Sequence, residues 1–136
     1  MNQELVDHLL YECETEQELL SGLQEITDEE TLFAYLDAYN WDDGFAVPEA
    51  AAAHPCCTLP AALMLFYDAG GAGLFLPDGE PLSKRAKAFV KTLQTRILAG
   101  DFPAGKAAYV LPLTRTERFY LKKAGADPVF LTDLNL

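Results

Sequence analysis

The chain has 136 residues, half of them hydrophobic, with eight Phe, six Tyr and one Trp, and a formal net charge of −11. That length fits one domain whose folding buries roughly two-thirds of the unfolded surface, and so apolar a composition excludes a disordered chain despite the charge. A sequence pI near 4.4 speaks against nonspecific binding to nucleic acid or to an anionic membrane, because the long-range field repels polyanions.

The charge is segregated. Residues 1–83 hold seventeen acids and no Lys or Arg, whereas all ten bases fall between Lys84 and Lys123 and residues 84–136 add four acids. No apolar stretch is long enough to span a bilayer, and the first residues are acidic where a signal peptide is basic, so the expected setting is the cytoplasm. Cys13, Cys56 and Cys57 form an odd count with an adjacent pair, which suits reduced thiols.

In chain order, Leu5, Leu9 and Leu10 recur at helical spacing and predict a first helix over residues 3–13. Thr15 with Glu18 has the pattern of a capping box, and so has Thr27 with Glu30, which predicts a helix running to Tyr39. Asp28, Glu29 and Glu30 then lie in its first turn, where acids complement the helix dipole. Residues 40–45 contain turn formers, with Asp43–Gly44 suited to positive φ. Pro48 fits the first turn of a short helix to Ala53, which His54–Pro55 ends. Thr58 and Pro60 start a helix over 59–69 that is apolar on nearly every side, the expected centre of the fold. Leu74 to Gly79 reads as an extended piece and a turn. Ser83 caps a long amphipathic helix to Ala99, with Phe89, Val90, Leu93, Ile97 and Leu98 inward and Lys84, Arg85, Lys87, Lys91 and Arg96 largely outward. Tyr109 to Pro112 reads as extended, Thr114 to Lys123 as helical, and Val129 to Leu131 as a short extended segment. No repeat or linker divides the chain. The expectation is a mainly α, compact multi-helix single domain over 1–136 with a few short extended segments in its C-terminal half, α+β being the alternative.

Motifs with specific chemistry are weak. Ser21 and Ser83 are the only serines, and neither sits in a nucleophile elbow. His54 precedes Cys56 and Cys57, but proximity in sequence is not geometry, and Cys is also a small core residue. Zinc needs three or four converging ligands; His8 and Cys13 are distant in sequence, so neither a metal nor any other cofactor is expected. Asp42 and Asp43 could work as paired carboxylates, although adjacent acids in a turn more often brace it. A lone Trp beside helix ends, Trp41, is more often a core plug than an interface anchor; exposed and flanked by carboxylates, it would suit an interface. The basic segment is expected to be a solvated face first, an internal counterion second and a weak polyanion site third, since it shows no interleaved exposed aromatics.

The segment YNWDDGF at 39–45, then Pro48, His54 to Cys56 and the helix from Leu59 to Tyr67, resembles the bacterial family known as domain of unknown function 4274. The resemblance covers residues 32–132, including Pro112 to Arg115 and Leu121 to Lys123, and departs at Pro60, where the family favours a small residue. It implies a small stand-alone cytoplasmic protein, a format shared with immunity proteins of contact-dependent toxin systems.

Charge and format together lead to an acidic protein-binding module. Its most concrete form is an immunity protein that masks the active site of a cationic toxin such as a nuclease, with Asp28, Glu29, Glu30, Asp42 and Asp43 supplying charge and Trp41 an anchor. Two alternatives stay open. One is a helical interaction or structural module, self-associating through its two halves; the other is an enzyme using Asp42, Asp43 or the His54, Cys56 and Cys57 cluster.

Overall fold

From Leu59 to Tyr67 no residue carries a charge, so a helix there has no face it can offer to water. In the computed structural model, which describes residues 1–136, this segment is helix α5 (Leu59–Asp68), and Pro60 to Tyr67 are all buried. Each Leu or Phe so enclosed contributes about 1.5–3 kcal/mol, against the few tenths that separate most helix propensities. Packing therefore decides where the other elements go. Helices α3 (Glu29–Asp37), α4 (Ala46–Ala52) and α6 (Lys84–Leu98) surround α5, α1 (Gln3–Asp7) lies on α3, and α2 (Glu16–Leu23) lies on α4. Helix α7 (Arg115–Lys123) inserts Leu121, and the terminal 3-10 turn Pro128–Leu131 inserts Phe130, into the same core. The Tyr67 hydroxyl donates to the Phe130 carbonyl and ties that turn to the central helix.

The fold is mainly α, with no sheet; one antiparallel bridge joins Tyr109 to Leu134. Extended backbone was expected at three places and the bridge occupies one of them. Of the piece expected at Leu74 to Gly79, Leu74 ends a 3-10 turn, Gly71–Leu74, and no strand follows it, while Asp127 caps the Val129 amide to make Pro128–Leu131 another 3-10 turn. No helix is long and apolar enough to cross a membrane.

Helix ends hold the finer departures. The first helix changes to a π turn over His8–Glu12, closed by the Cys13 amide on the His8 carbonyl at 3.1 Å. Glu18 does not complete the expected box: its carboxylate meets the Thr15 hydroxyl and the Glu14 amide instead of the Thr15 amide. The cap of α3 is Asp28, not Thr27, because Asp28 accepts both the Thr31 amide at 3.0 Å and the Thr31 hydroxyl at 2.7 Å. A complete capping box forms at Thr114 and Glu117. Leu98, expected to face inward, is 53 % exposed, one position past the last buried residue of α6. Arg96 turns back across the end of α4, donating to the Ala52 carbonyl at 2.7 Å and stacking 4.3 Å from the Phe102 ring centre.

A bracket joins distant segments at the start of α5. Glu29 accepts the Thr58 hydroxyl at 3.0 Å and the Lys106 amide at 2.9 Å, while the Leu59 amide donates to the Pro103 carbonyl at 2.8 Å. Gly105 permits the approach: its φ is +71°, and a Cβ there would lie 2.6 Å from Thr58 and 2.7 Å from the Glu29 carboxylate. Gly105→Ala is expected to lose about 2 kcal/mol in urea unfolding. Gly100→Ala has similar φ, +72°, with nothing within 4 Å, and should lose about half as much. Equal losses would remove the steric part of this account.

Candidate partner-binding surface

The acids singled out by sequence divide into two groups. Asp28, Glu29 and Glu30 rim one depression of about 390 Å³ that Lys106 shares. Asp28 is committed to its cap, and the hydrogen bonds from Thr31 hold its carboxyl below the usual carboxylate range. Glu29 is committed to Thr58 and Lys106. Glu30 is exposed, 3.2 Å from the terminal ammonium of Met1. The structure thus gives the first two acids internal partners.

Trp41, Asp42 and Asp43 form a one-turn 3-10 helix capped by the Asn40 side chain, which accepts the Asp42 amide at 3.0 Å. Both aspartates are exposed. Trp41 is half-buried between Tyr39, Phe45 and Phe89, meeting each edge to face at centroid distances of 5.7, 5.7 and 6.2 Å. Such pairs contribute about 0.5–1.5 kcal/mol each, so Trp41 pins the turn against α6. Nearby Asp68 is raised, first by desolvation and then by the Asp37 charge.

The region around the π turn lies outside the acids and the Trp that the sequence pattern singles out. Glu4, Asp7, Glu12 and Glu25 gather with His8 along one shallow groove. On the other side of the turn Tyr11 is 79 % exposed and borders a small hollow that Asp43 also lines. A signal was present: Tyr11 falls outside the Leu5, Leu9 and Leu10 stripe, so an aromatic ring was already on the water side of an acidic helix. Residues 1–43 carry thirteen acids, and not one of them pairs with a Lys or Arg side chain. The only such pair between the two halves is Glu49 with Arg85, at 2.6 Å. The basic segment is therefore a poor internal counterion for the acids. Nor does it lack exposed aromatics, since Phe119 is 60 % exposed on α7, one helical turn from Arg115 and from Lys123.

His54 has a defined structural role. Its Nε2 faces the Leu23 carbonyl at 3.0 Å and its Nδ1 accepts the Cys56 amide at 3.0 Å, an arrangement that the neutral Nε2–H tautomer satisfies. It links α2 to the loop before α5. Burial pushes the Cys57 thiol up to about 12, and burial followed by the Asp28 and Glu29 charges raises Cys56.

Different costs should follow from these duties. Asp28→Ala is expected to lose about 1 kcal/mol in thermal or urea unfolding, and Asp42→Asn with Asp43→Asn less than about 0.5 kcal/mol. Because the folded pKa of Asp28 is depressed, its contribution is present above the unfolded value of about 3.9 and is lost as pH falls through the lower folded value. The Asp28→Ala penalty should therefore shrink on acidification below about pH 4. Cys57 should resist iodoacetamide at pH 8 in the folded chain and react on unfolding, as mass mapping would read.

No curated protein and no solved structure matches the chain. The model of the family described as Domain of unknown function (DUF4274) matches residues 27–98, from the residue before the α3 cap to the end of α6. It leaves out the stretches from Pro112 to Arg115 and from Leu121 to Lys123 that the sequence resemblance had included. Since α3 to α6 enclose the core and the match covers more than half of the chain, the protein belongs to the DUF4274 family.

Proposed function

We propose that the protein is an acidic binding module, most concretely an immunity protein that neutralises a cationic toxin such as a nuclease. The observation that carries this proposal is the absence of any Lys or Arg side-chain partner for the thirteen acids of residues 1–43. Like charges left in that state repel one another and weaken the fold, and an external cationic surface relieves them. A nuclease must present Lys and Arg to phosphate, so a carboxylate-rich face imitates its substrate. With Asp28 and Glu29 held internally, the contact is assigned to Glu30, Asp42 and Asp43, to the groove of Glu4, Asp7, Glu12 and Glu25, and to the exposed Tyr11, which shares a hollow with Asp43. Trp41 supports that contact by holding the Asp42–Asp43 turn.

A second function draws on Phe119. The basic, partly apolar face of α7 could dock on the acidic face of another copy, a head-to-tail contact.

The test uses a candidate toxin encoded beside this chain. Its association rate, measured by stopped flow, is expected to fall at least about tenfold between low and high salt. Asp42→Asn with Asp43→Asn and Tyr11→Ala should each weaken binding. A rate indifferent to salt would overturn the electrostatic account, and growth of toxin-expressing cells without rescue by this chain would overturn the immunity role. Sedimentation across the same salt series reads the second function, which predicts oligomers at low salt only.

A further inference from the structure

Helix α6 carries Arg85, Phe89, Thr92 and Arg96 at successive spacings of four, three and four residues, which puts them on one face. With Ala52 and Ala53 at the end of α4 they line a groove of about 320 Å³. Ala52, Phe89 and Leu93 are its buried floor, and Ala53, Ala88 and Thr92 are exposed along it. Small-molecule sites begin at roughly 300 Å³, whereas a stable protein interface takes about 20–30 residues a side. Nine residues line this groove. Its size and floor therefore fit a small molecule with an apolar body.

The charged groups decide what head that molecule carries. Arg96 is half-buried and held twice: Nη1 donates to the Ala52 carbonyl at 2.7 Å, and the guanidinium stacks 4.3 Å from the Phe102 ring centre. Its other N–H groups have no acceptor within hydrogen-bond distance, since the Asp101 carboxylate stands 3.7 Å from Nε. The Thr92 hydroxyl lies one turn back on the same face. Toward the start of α6, Arg85 donates to Glu49 at 2.6 Å, so the one carboxylate lining the groove is already neutralised. A guanidinium fixed in this way loses little further entropy when an anion takes its free donors, and its planar fork matches a carboxylate. Arg85 and Arg96 are about 16 Å apart along the helix, which leaves room for an apolar chain beside them.

We propose that the groove between α4 and α6 binds a small amphipathic carboxylate, its head on the Arg96 fork and the Thr92 hydroxyl and its apolar chain along Ala53, Ala88 and Phe89. The groove shares no residue with the acidic contact assigned above, and its ligand has the opposite charge to a cationic toxin. The net charge of −11 favours cations over the surface as a whole, so a preference for an anion has to come from this local arrangement.

The experiment titrates the full-length chain with octanoate, octylamine and 1-octanol, which share a chain length and differ in head group. The readout is the fluorescence of Trp41, the one Trp of the chain, whose ring meets Phe89 edge to face at 6.2 Å. Octanoate is expected to give a saturable change, with octylamine and octanol each at least about tenfold weaker. Arg96→Gln should bring octanoate down to the level of octanol and leave octanol itself unchanged. Ala88→Phe should fill the groove and abolish octanoate binding. Because Ala88 is exposed on α6, its substitution should leave the melting temperature nearly unchanged, which keeps the test decisive if Arg96→Gln destabilises the fold by losing its bond to Ala52. Octanol binding as tightly as octanoate would overturn the proposal and leave an apolar crevice without anion recognition. Octylamine binding more tightly would overturn it in favour of bulk electrostatics. Absence of any saturable change, or octanoate binding that survives Ala88→Phe, would overturn the site itself.

Discussion

The enclosure of α5 is the constraint on which the rest of the structure depends. Pro60 to Tyr67 offer no polar face, so helices must close over the segment from every direction. The amphipathic helices that do so turn their apolar stripes inward and their charges to water. For the first half of the chain this means acids alone on the outside, since no basic residue precedes Lys84. The negative surface is therefore a direct consequence of burying an uncharged centre with helices of one sign.

What the fold does with those acids is uneven. Asp28 and Glu29 became structural because α3 begins where the loop through Gly105 closes against Thr58, and donors wait there for carboxylates. Late in the chain Asp133 plays a similar part, held below the usual range by the Leu111 amide and by Arg118. The acids on α1, the π turn and the Trp41–Asp43 turn have no such donors from the basic half. Arginines that could have neutralised them are used elsewhere, Arg96 on the Ala52 carbonyl and Arg118 on the Leu131 carbonyl and Asp133. Unmet charge in the first 43 residues is thus a by-product of where the positive side chains were needed.

Local rules served well where one residue decides the outcome. Ser83 caps α6 because its hydroxyl reaches the Ala86 amide, and Pro60 sits in the first turn of α5 because it needs no donor there. They failed where two candidates compete within reach of the same donor. Thr27 and Asp28 could each cap α3, and Asp28 prevailed because Thr31, buried with its hydroxyl, also accepts the Asn2 amide at 2.8 Å and so links α1 to α3. Extended segments were misjudged for a related reason. Residues 129–131 carry β-forming side chains, but Asp127 and Pro128 close the chain into a turn that the core needs in order to receive Phe130.

By itself the sequence determined that the protein is mainly helical, that α5 is its centre and that its charges lie in two blocks, because hydrophobic periodicity and charge are properties of residue order. Only the tertiary structure decided which acids remain available, that Trp41 faces three rings while Tyr11 faces water, and that the Tyr35 hydroxyl is buried without a hydrogen-bond partner. Those outcomes depend on which donors and rings from distant segments arrive at the same place, and no local pattern encodes that arrival.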